Sequence, residues 1–455
     1  MRPTALAISL FALCLHSTSF AADSSINTSP DNTPNNNSNA AMQAEISALK
    51  QRLAALEDSI QRSAQAAPAP TVVVSLPTPV TPTSSKPMFT MDGSNTTFSY
   101  KGYVKVDALA SRFSAGEVAS SSAARDFYVP SATPVGNGES SQVLDAHAKQ
   151  TRIAFTSKTA LDNGKSINTQ VEMDFMVALD GNERATNGYE PELRHAFIQY
   201  DKYLIGQTWS NFMDVNALPD SLDFIGPTEG TVFVRQPQFR YSQGAWAVSV
   251  ENPETSLSTA TPTGVASTVS GDGRLPDLTA RYTHSMGQQG HLSAALLLRE
   301  LRNDNNGINS DHSTGAGVSV SGRYNLDAAN NLRGAVTYGQ GIGRYVGVNV
   351  VNDAALDGNG QLHNIDVTAG FLAYQHQWRP DLRSSVGLSY FNADIPTEII
   401  GTGLTKTSQS ALVNVIYTIA PALEVGAELL HGQRELASGL DGSLDRLQLS
   451  AKYRF

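Results

Sequence analysis

The chain has 455 residues, a formal net charge of −10 and 40% hydrophobic residues. An acidic balance argues against a nucleic-acid binder, which carries a basic surplus. The length exceeds one ordinary compact domain but suits one large β-barrel or two domains.

Residues 1–21 read as a secretory signal. Arg2 supplies the positive start, Ala5 to Leu15 the short apolar core, and Ser19-Phe20-Ala21 a small-x-small cleavage site. The single cysteine, Cys14, lies inside that core, and Leu13 before it argues against lipidation. An exported chain that loses its one cysteine cannot rely on disulfides. After the signal no stretch approaches the roughly 20 apolar residues of a membrane helix. Three destinations remain: the periplasm, the medium, or an outer membrane crossed by a β-barrel.

Residues 22–40 are rich in Asn and Ser with almost nothing to bury, which predicts a disordered segment. Residues 41–62 place Met42, Ile46, Leu49, Leu53, Leu56 and Ile60 at alternating steps of four and three. That is the a/d seam of a coiled coil, expected in the periplasm, although three heptads are marginal alone. Residues 63–96 form a Pro-rich linker, with six prolines before residue 89.

From residue 97 to 455 the period changes to two. "TFSYKGYVKVDALASRF", "SINTQVEMDFMVAL", "VSVSGRYNL", "NLRGAVTYG" and the closing "LQLSAKYRF" each separate an apolar edge from a polar one. The segments run about 9–11 residues, the length of a tilted transmembrane strand. Phe98, Tyr100, Tyr200, Tyr338, Tyr390, Tyr453 and Phe455 lie near segment ends, where an interfacial girdle needs them. In lipid every backbone polar group must find an internal partner, which a closed sheet supplies. The expected fold is therefore all-β: a transmembrane antiparallel barrel of about 16 strands, with 18 also compatible with the length. Tyr453 and Phe455 resemble the terminal signal that the barrel-assembly machinery reads.

Alternation fails between residues 210 and 230, "SNFMDVNALPDSLDFIGPTEG", a stretch too apolar for an exposed loop. Folded inward it narrows the lumen, with Phe212, Asp214, Asp220, Asp223 and Glu229 as candidate constriction residues. Pro237 removes a ladder donor just beyond and suggests a bulge. Lys101, Lys105, Arg152, Arg281, Arg323, Arg333 and Arg446 fall on the lumen edge. Arg235 and Arg240 have opposite parity, so only one faces inward unless Pro237 resets the register. Guanidinium groups in a narrow pore suit carboxylates. Asp107, Glu172 and Asp174 share that face, so a transverse field is equally compatible.

The chain contains no G-x-S-x-G, H-E-x-x-H or Walker loop, and neither metal nor cofactor is implied. "GQGIGR" at 339–344 reads as a hairpin loop, and His195 as lumen-facing. A barrel-borne hydrolase or an adhesin is the alternative to a pore.

"RHAFIQY", "GQTWSNFMD", "LPDSLDFIGPTEGTVFVRQP" and "SVENPET" resemble passages of the DcaP-like family of outer-membrane porins. The resemblance implies a homotrimer of 16-stranded barrels with an inward loop and a periplasmic coiled coil. It also implies passive uptake of small anionic solutes, notably dicarboxylates. Outer-membrane lipid, lipopolysaccharide and peptidoglycan are the surroundings expected of such a chain.

Overall fold

In the computed structural model of the chain, residues 89–90, 95–176, 181–182, 186–304 and 310–455 are described. The signal, the disordered segment, the coiled coil and the linker up to residue 88 lie outside them. Within the linker's expected span, Phe89–Thr90 forms a strand stub against residues 97–98.

The wall begins with β1 (Thr96–Phe113). The strand β2 is interrupted: Ser141–His147 pairs with the upper half of β1 and Arg152–Ala160 with the lower half. Then follow β3 (Ser166–Asp174), β4 (Glu192–Tyr200), β5 (Tyr203–Trp209), β6 (Arg235–Gln243), β7 (Trp246–Glu251) and β8 (Asp277–Ser285). The far arc is β9 (Gly290–Asn303), β10 (Asp311–Asn325), β11 (Asn330–Gln340), β12 (Asp366–Arg379), β13 (Leu382–Asp394), β14 (Thr405–Ala420), β15 (Leu423–Leu436) and β16 (Asp441–Arg454). Each pairs antiparallel with its predecessor, and β16 returns to β1, so 16 strands close a ring. Phe455 and Gly102 exchange two backbone hydrogen bonds of 3.1 Å at the seam.

The wall is uneven. Strands β3 to β8 hold six to nine residues, whereas β9 to β16 hold 11 to 16. Even spacing of 9–11 residues was expected. The long strands rise beyond the apolar band and support loops packed inside the barrel.

Side chains are distributed inside out. Val104, Val106, Val320, Leu372, Leu388 and Leu447 point outward and are exposed, while Lys105, Asp107, Glu428, Arg446 and Gln448 point inward and are buried. Water would penalise that outer surface, but hydrocarbon accepts it. Tyr203, Trp246, Tyr282, Tyr324, Trp378 and Tyr453 ring the end bearing the short turns. Tyr338 and Tyr390 stand toward the opposite end. That spacing of amphipathic rings marks two interfaces. No described helix is long and apolar enough to cross a membrane.

One local expectation fails. The register of β5 and β6 runs unbroken through Pro237, which points outward and needs no bulge. The bulge lies in β4 instead, where Glu172 faces His195 and Met173 faces Leu193. Arg194 is the extra residue, so both Arg194 and His195 turn inward and are buried. Residues 339–344 do open the loop of the β11–β12 hairpin, which is long: β11 ends at Gln340, pairing with Asp366, and Gly341, at φ 65°, turns the chain into the lumen.

Three long loops, 114–140, 210–234 and 341–365, fill part of the interior. A separate four-stranded sheet joins Thr255–Thr261 and Gly264–Ser270 to Ala354–Leu356 and Leu362–Asn364.

Candidate functional site: the lumen and its inward loop

The 210–234 loop has an apolar side and a polar side, and each finds its own partner. Phe212, Met213 and Val232 pack with Ile342, Tyr345, Val346 and Val350 of the 341–365 loop in one buried cluster. The Phe212 and Tyr345 rings meet edge to face at 6.0 Å. Phe233 N–H donates to the Tyr345 carbonyl, and Gly347 N–H to that of Thr231, both at 2.9 Å. The apolar composition is thus satisfied by a second loop together with wall residues such as Leu297, Val367, Ala369 and Phe391. Asp223 shapes the turn, accepting from Ile225 N–H at 3.0 Å and Gly226 N–H at 3.1 Å. Its other oxygen accepts from Tyr128 N–H at 2.8 Å, which ties in the 114–140 loop.

The loop is strung across the lumen by its backbone. Glu428 on β15 accepts from Leu222 N–H at 2.9 Å, Asp223 N–H at 3.0 Å, the Ser221 hydroxyl at 2.9 Å and the Asn414 amide at 2.9 Å. Cations grip the carbonyls: Lys105 Nζ donates to Leu222 at 2.6 Å, Arg281 Nη1 to Met213 at 2.7 Å, and Arg333 Nη1 to Leu218. Asp220 pairs with Arg383 at 2.7 Å, and Asp214 with His291 at 2.8 Å.

Glu229 is fully buried and has no cationic partner among the described residues. Tyr128 Oη donates to it at 2.7 Å, Ser410 at 2.6 Å and Ser408 at 3.2 Å. Burial pushes its carboxyl above the usual carboxylate range, and the hydroxyl donors only partly counter that.

The candidate cations fall into two groups. Several are engaged by acids or covered. Arg152 pairs with Asp174 at 2.9 Å, beside Arg194, which pairs with Asp174 at 2.8 Å and Glu172 at 3.1 Å. Lys105 lies 3.1 Å from Asp107, and Arg235 lies 2.9 Å from Glu192 at the end of β6. Arg446 is 2% exposed, held by Ser111 and the Ala124 carbonyl beneath the 114–140 loop. Lys101 is exposed at the short-turn mouth.

The second group is Arg240, Arg281, Arg323 and Arg333. All are half-buried on inward positions of β6, β8, β10 and β11, with no carboxylate in ion-pair distance among the described residues. The parity conflict between Arg235 and Arg240 resolves in favour of Arg240. Glu428, Arg194 and Arg383 were not singled out from the sequence. Glu428 could have been: it sits on lumen parity in "LEVGAELLHG", a carboxylate with no cation beside it in its own strand.

The arrangement offers a polar interior, an obstruction of packed loops and a field, and no group of metal ligands occurs among the described residues. A closed sheet with a lipid-facing outer wall and a polar, loop-narrowed interior defines an outer-membrane channel of the porin type.

The profile of the family described as DcaP outer membrane protein matches residues 27–455. The chain belongs to that family, whose place is the outer membrane of Gram-negative bacteria. Among solved structures, the outer membrane channel DcaP of Acinetobacter baumannii superposes with a TM-score of 0.66 at 24% identity, covering 79% of this chain and 98% of the other. OmpF of Salmonella typhi, in complex with daunomycin, gives a TM-score of 0.49 at 12% identity over 81% and 99% of the two chains. An anion-selective porin from Comamonas acidovorans gives 0.47 at 10% identity over 79% and 100%. At such identities the likeness is one of fold. No curated protein matches the chain.

Proposed function

We propose that the chain is a passive diffusion pore for small hydrophilic solutes, with a preference for anions and no covalent chemistry. One observation carries the preference: Arg240, Arg281, Arg323 and Arg333 on one wall have no carboxylate in ion-pair distance among the described residues, while Asp174 and Asp220 opposite are each paired with arginine. Charge neutralised within a pair contributes little field, so the unpaired wall decides the sign felt by a passing ion. A low-dielectric constriction strengthens that field. Dicarboxylates are the solutes that the family resemblance suggests. Three copies associating through their barrel walls, with residues 41–62 as a periplasmic coiled coil, complete the reading.

Reversal potential in a salt gradient across a planar bilayer tests it. Anion selectivity is expected in stepwise currents of a three-pore unit. A cation-selective reversal potential overturns the preference, and absence of conductance overturns the pore.

A further inference from the structure

Arg323 on β10 and Arg333 on β11 are directly opposed in the sheet register, and so are Asn325 and Asn331. Directly opposed side chains have Cβ atoms about 4.5–5.5 Å apart, close enough for like charges to repel. Both guanidinium groups are nevertheless held in place. Arg323 Nε donates to Asn325 Oδ1 at 2.9 Å, and Arg333 Nε to Asn331 Oδ1 at 2.8 Å. In each case the asparagine lies two residues nearer the short-turn end of the same strand. Two like charges are thereby steadied side by side, although among the described residues no carboxylate sits in ion-pair distance of either.

Their terminal nitrogens differ. Arg333 uses its own on the Leu218 carbonyl and on Gln375 Oε1, the latter at 2.9 Å. The terminal nitrogens of Arg323 have no hydrogen-bond partner among the described residues, and the side chain is half-buried. Both arginines line an open pocket of about 530 Å³ at the short-turn end, between the wall and the underside of the inward loop. Asn216 of the loop and His291 of β9 line it too. Of the loop carboxylates, Asp214 is turned to His291 Nε2 at 2.8 Å and to the Ser321 hydroxyl at 2.9 Å, and Asp220 accepts from the Gln375 amide at 3.1 Å and pairs with Arg383 at 2.7 Å.

We propose that this pocket is a docking point, reached from the periplasm, for a compact doubly charged oxyanion: hydrogenphosphate or the terminal phosphate of a monoester. A single free planar fork binds one anionic group through two parallel hydrogen bonds. The neighbouring Arg333 cannot offer a second fork, but it adds a second positive charge at the same point. One small group with two charges fits that pair. A linear chain with a carboxylate at each end needs two forks and finds one. This docking point rests on the anion-pore reading and assigns a place and a ligand class within it.

The test uses the full chain in planar bilayers, with chloride carrying the current and hydrogenphosphate, acetate or succinate added on the periplasmic side. Hydrogenphosphate is expected to block at lower concentration than either carboxylate. R323Q should raise its half-blocking concentration about tenfold, the scale of one charge-assisted bidentate contact. R323K, which keeps the charge without the fork, should fall between, as should N325A, which frees Nε. Phosphate block unchanged in R323Q overturns the docking point, as does succinate block that depends on Arg323 more than phosphate block does. If R323Q yields no channels, unchanged block in both R323K and N325A overturns it equally. The underlying reading fails separately: a wild-type channel that is cation-selective in a salt gradient refutes the anion pore itself, whereas an anion-selective channel with Arg323-independent block refutes only the docking point.

Discussion

Glu428 concentrates more of the inward loop's geometry than any acid on the loop itself. Its two oxygens receive two backbone N–H groups, one hydroxyl and one amide while 2% exposed. Glu428→Gln replaces an acceptor with a donor facing donors, so the loop should lose about 2–3 kcal/mol of local anchoring. The expected signature is higher single-channel conductance with more open-channel noise. Currents identical to wild type would show that the loop is held elsewhere. Arg240 and Arg446 make a second contrast, since both carry a charge on lumen parity. Arg240→Glu should shift the reversal potential toward cations, whereas Arg446→Gln, removing a covered charge, should leave selectivity unchanged and lower thermal stability. Selectivity that responds to Arg446 would contradict that division.

Parity marked Arg281, Arg323 and Arg333 as lumen-facing and left Arg235 and Arg240 undecided. It could not say which cations are free, because neutralisation depends on neighbours far away in sequence. Arg152 meets Asp174 across a hairpin, and Arg383 meets Asp220 on the inward loop. The bulge that brings Arg194 inward was equally hidden: nothing in "ELRHAFIQY" marks one residue as extra, and the partner strand's register decides it.

At the scale of elements, each wall strand is a ribbon between two solvents. Leu372, outward on β12 and 59% exposed, should resist charge strongly. Leu372→Lys is expected to cost about 2–4 kcal/mol near the bilayer midplane, read from urea unfolding in lipid vesicles. A cost near zero would mean that this face does not meet hydrocarbon. The inward loop shows the reverse economy, burying a carboxyl without a cation. Because burial raises the pKa of Glu229, its ionised form weakens the fold above that pKa, and protonation relieves the strain as pH falls through it. Glu229→Gln should therefore be more stable than wild type at neutral pH and lose that advantage as pH falls into the acid range. Thermal midpoints across that range decide it, and a pH-independent difference would refute the assignment. The loop's inward course was legible from its composition. Its reliance on the 341–365 loop was not, since "GQGIGR" carries no sign of which way the chain turns.

At the scale of the whole molecule, lateral association is the remaining question. Deleting residues 22–88 should leave a conducting trimer if barrel walls hold the copies together, whereas a folded monomer would assign that role to the helices. Size-exclusion chromatography with light scattering separates the two outcomes.

The sheet outside the wall has a temporal meaning. Leu257 pairs in parallel with Ala354, 97 positions further along the chain. Between those two residues the polypeptide must lay down four complete wall strands, β8 to β11. A half-built cylinder therefore has an unfinished upper rim, however well its lower seam has formed. Any factor that captures the nascent protein before that point meets loops with no fixed shape, and the finished entrance exists only once distant stretches of the same thread have been tied together.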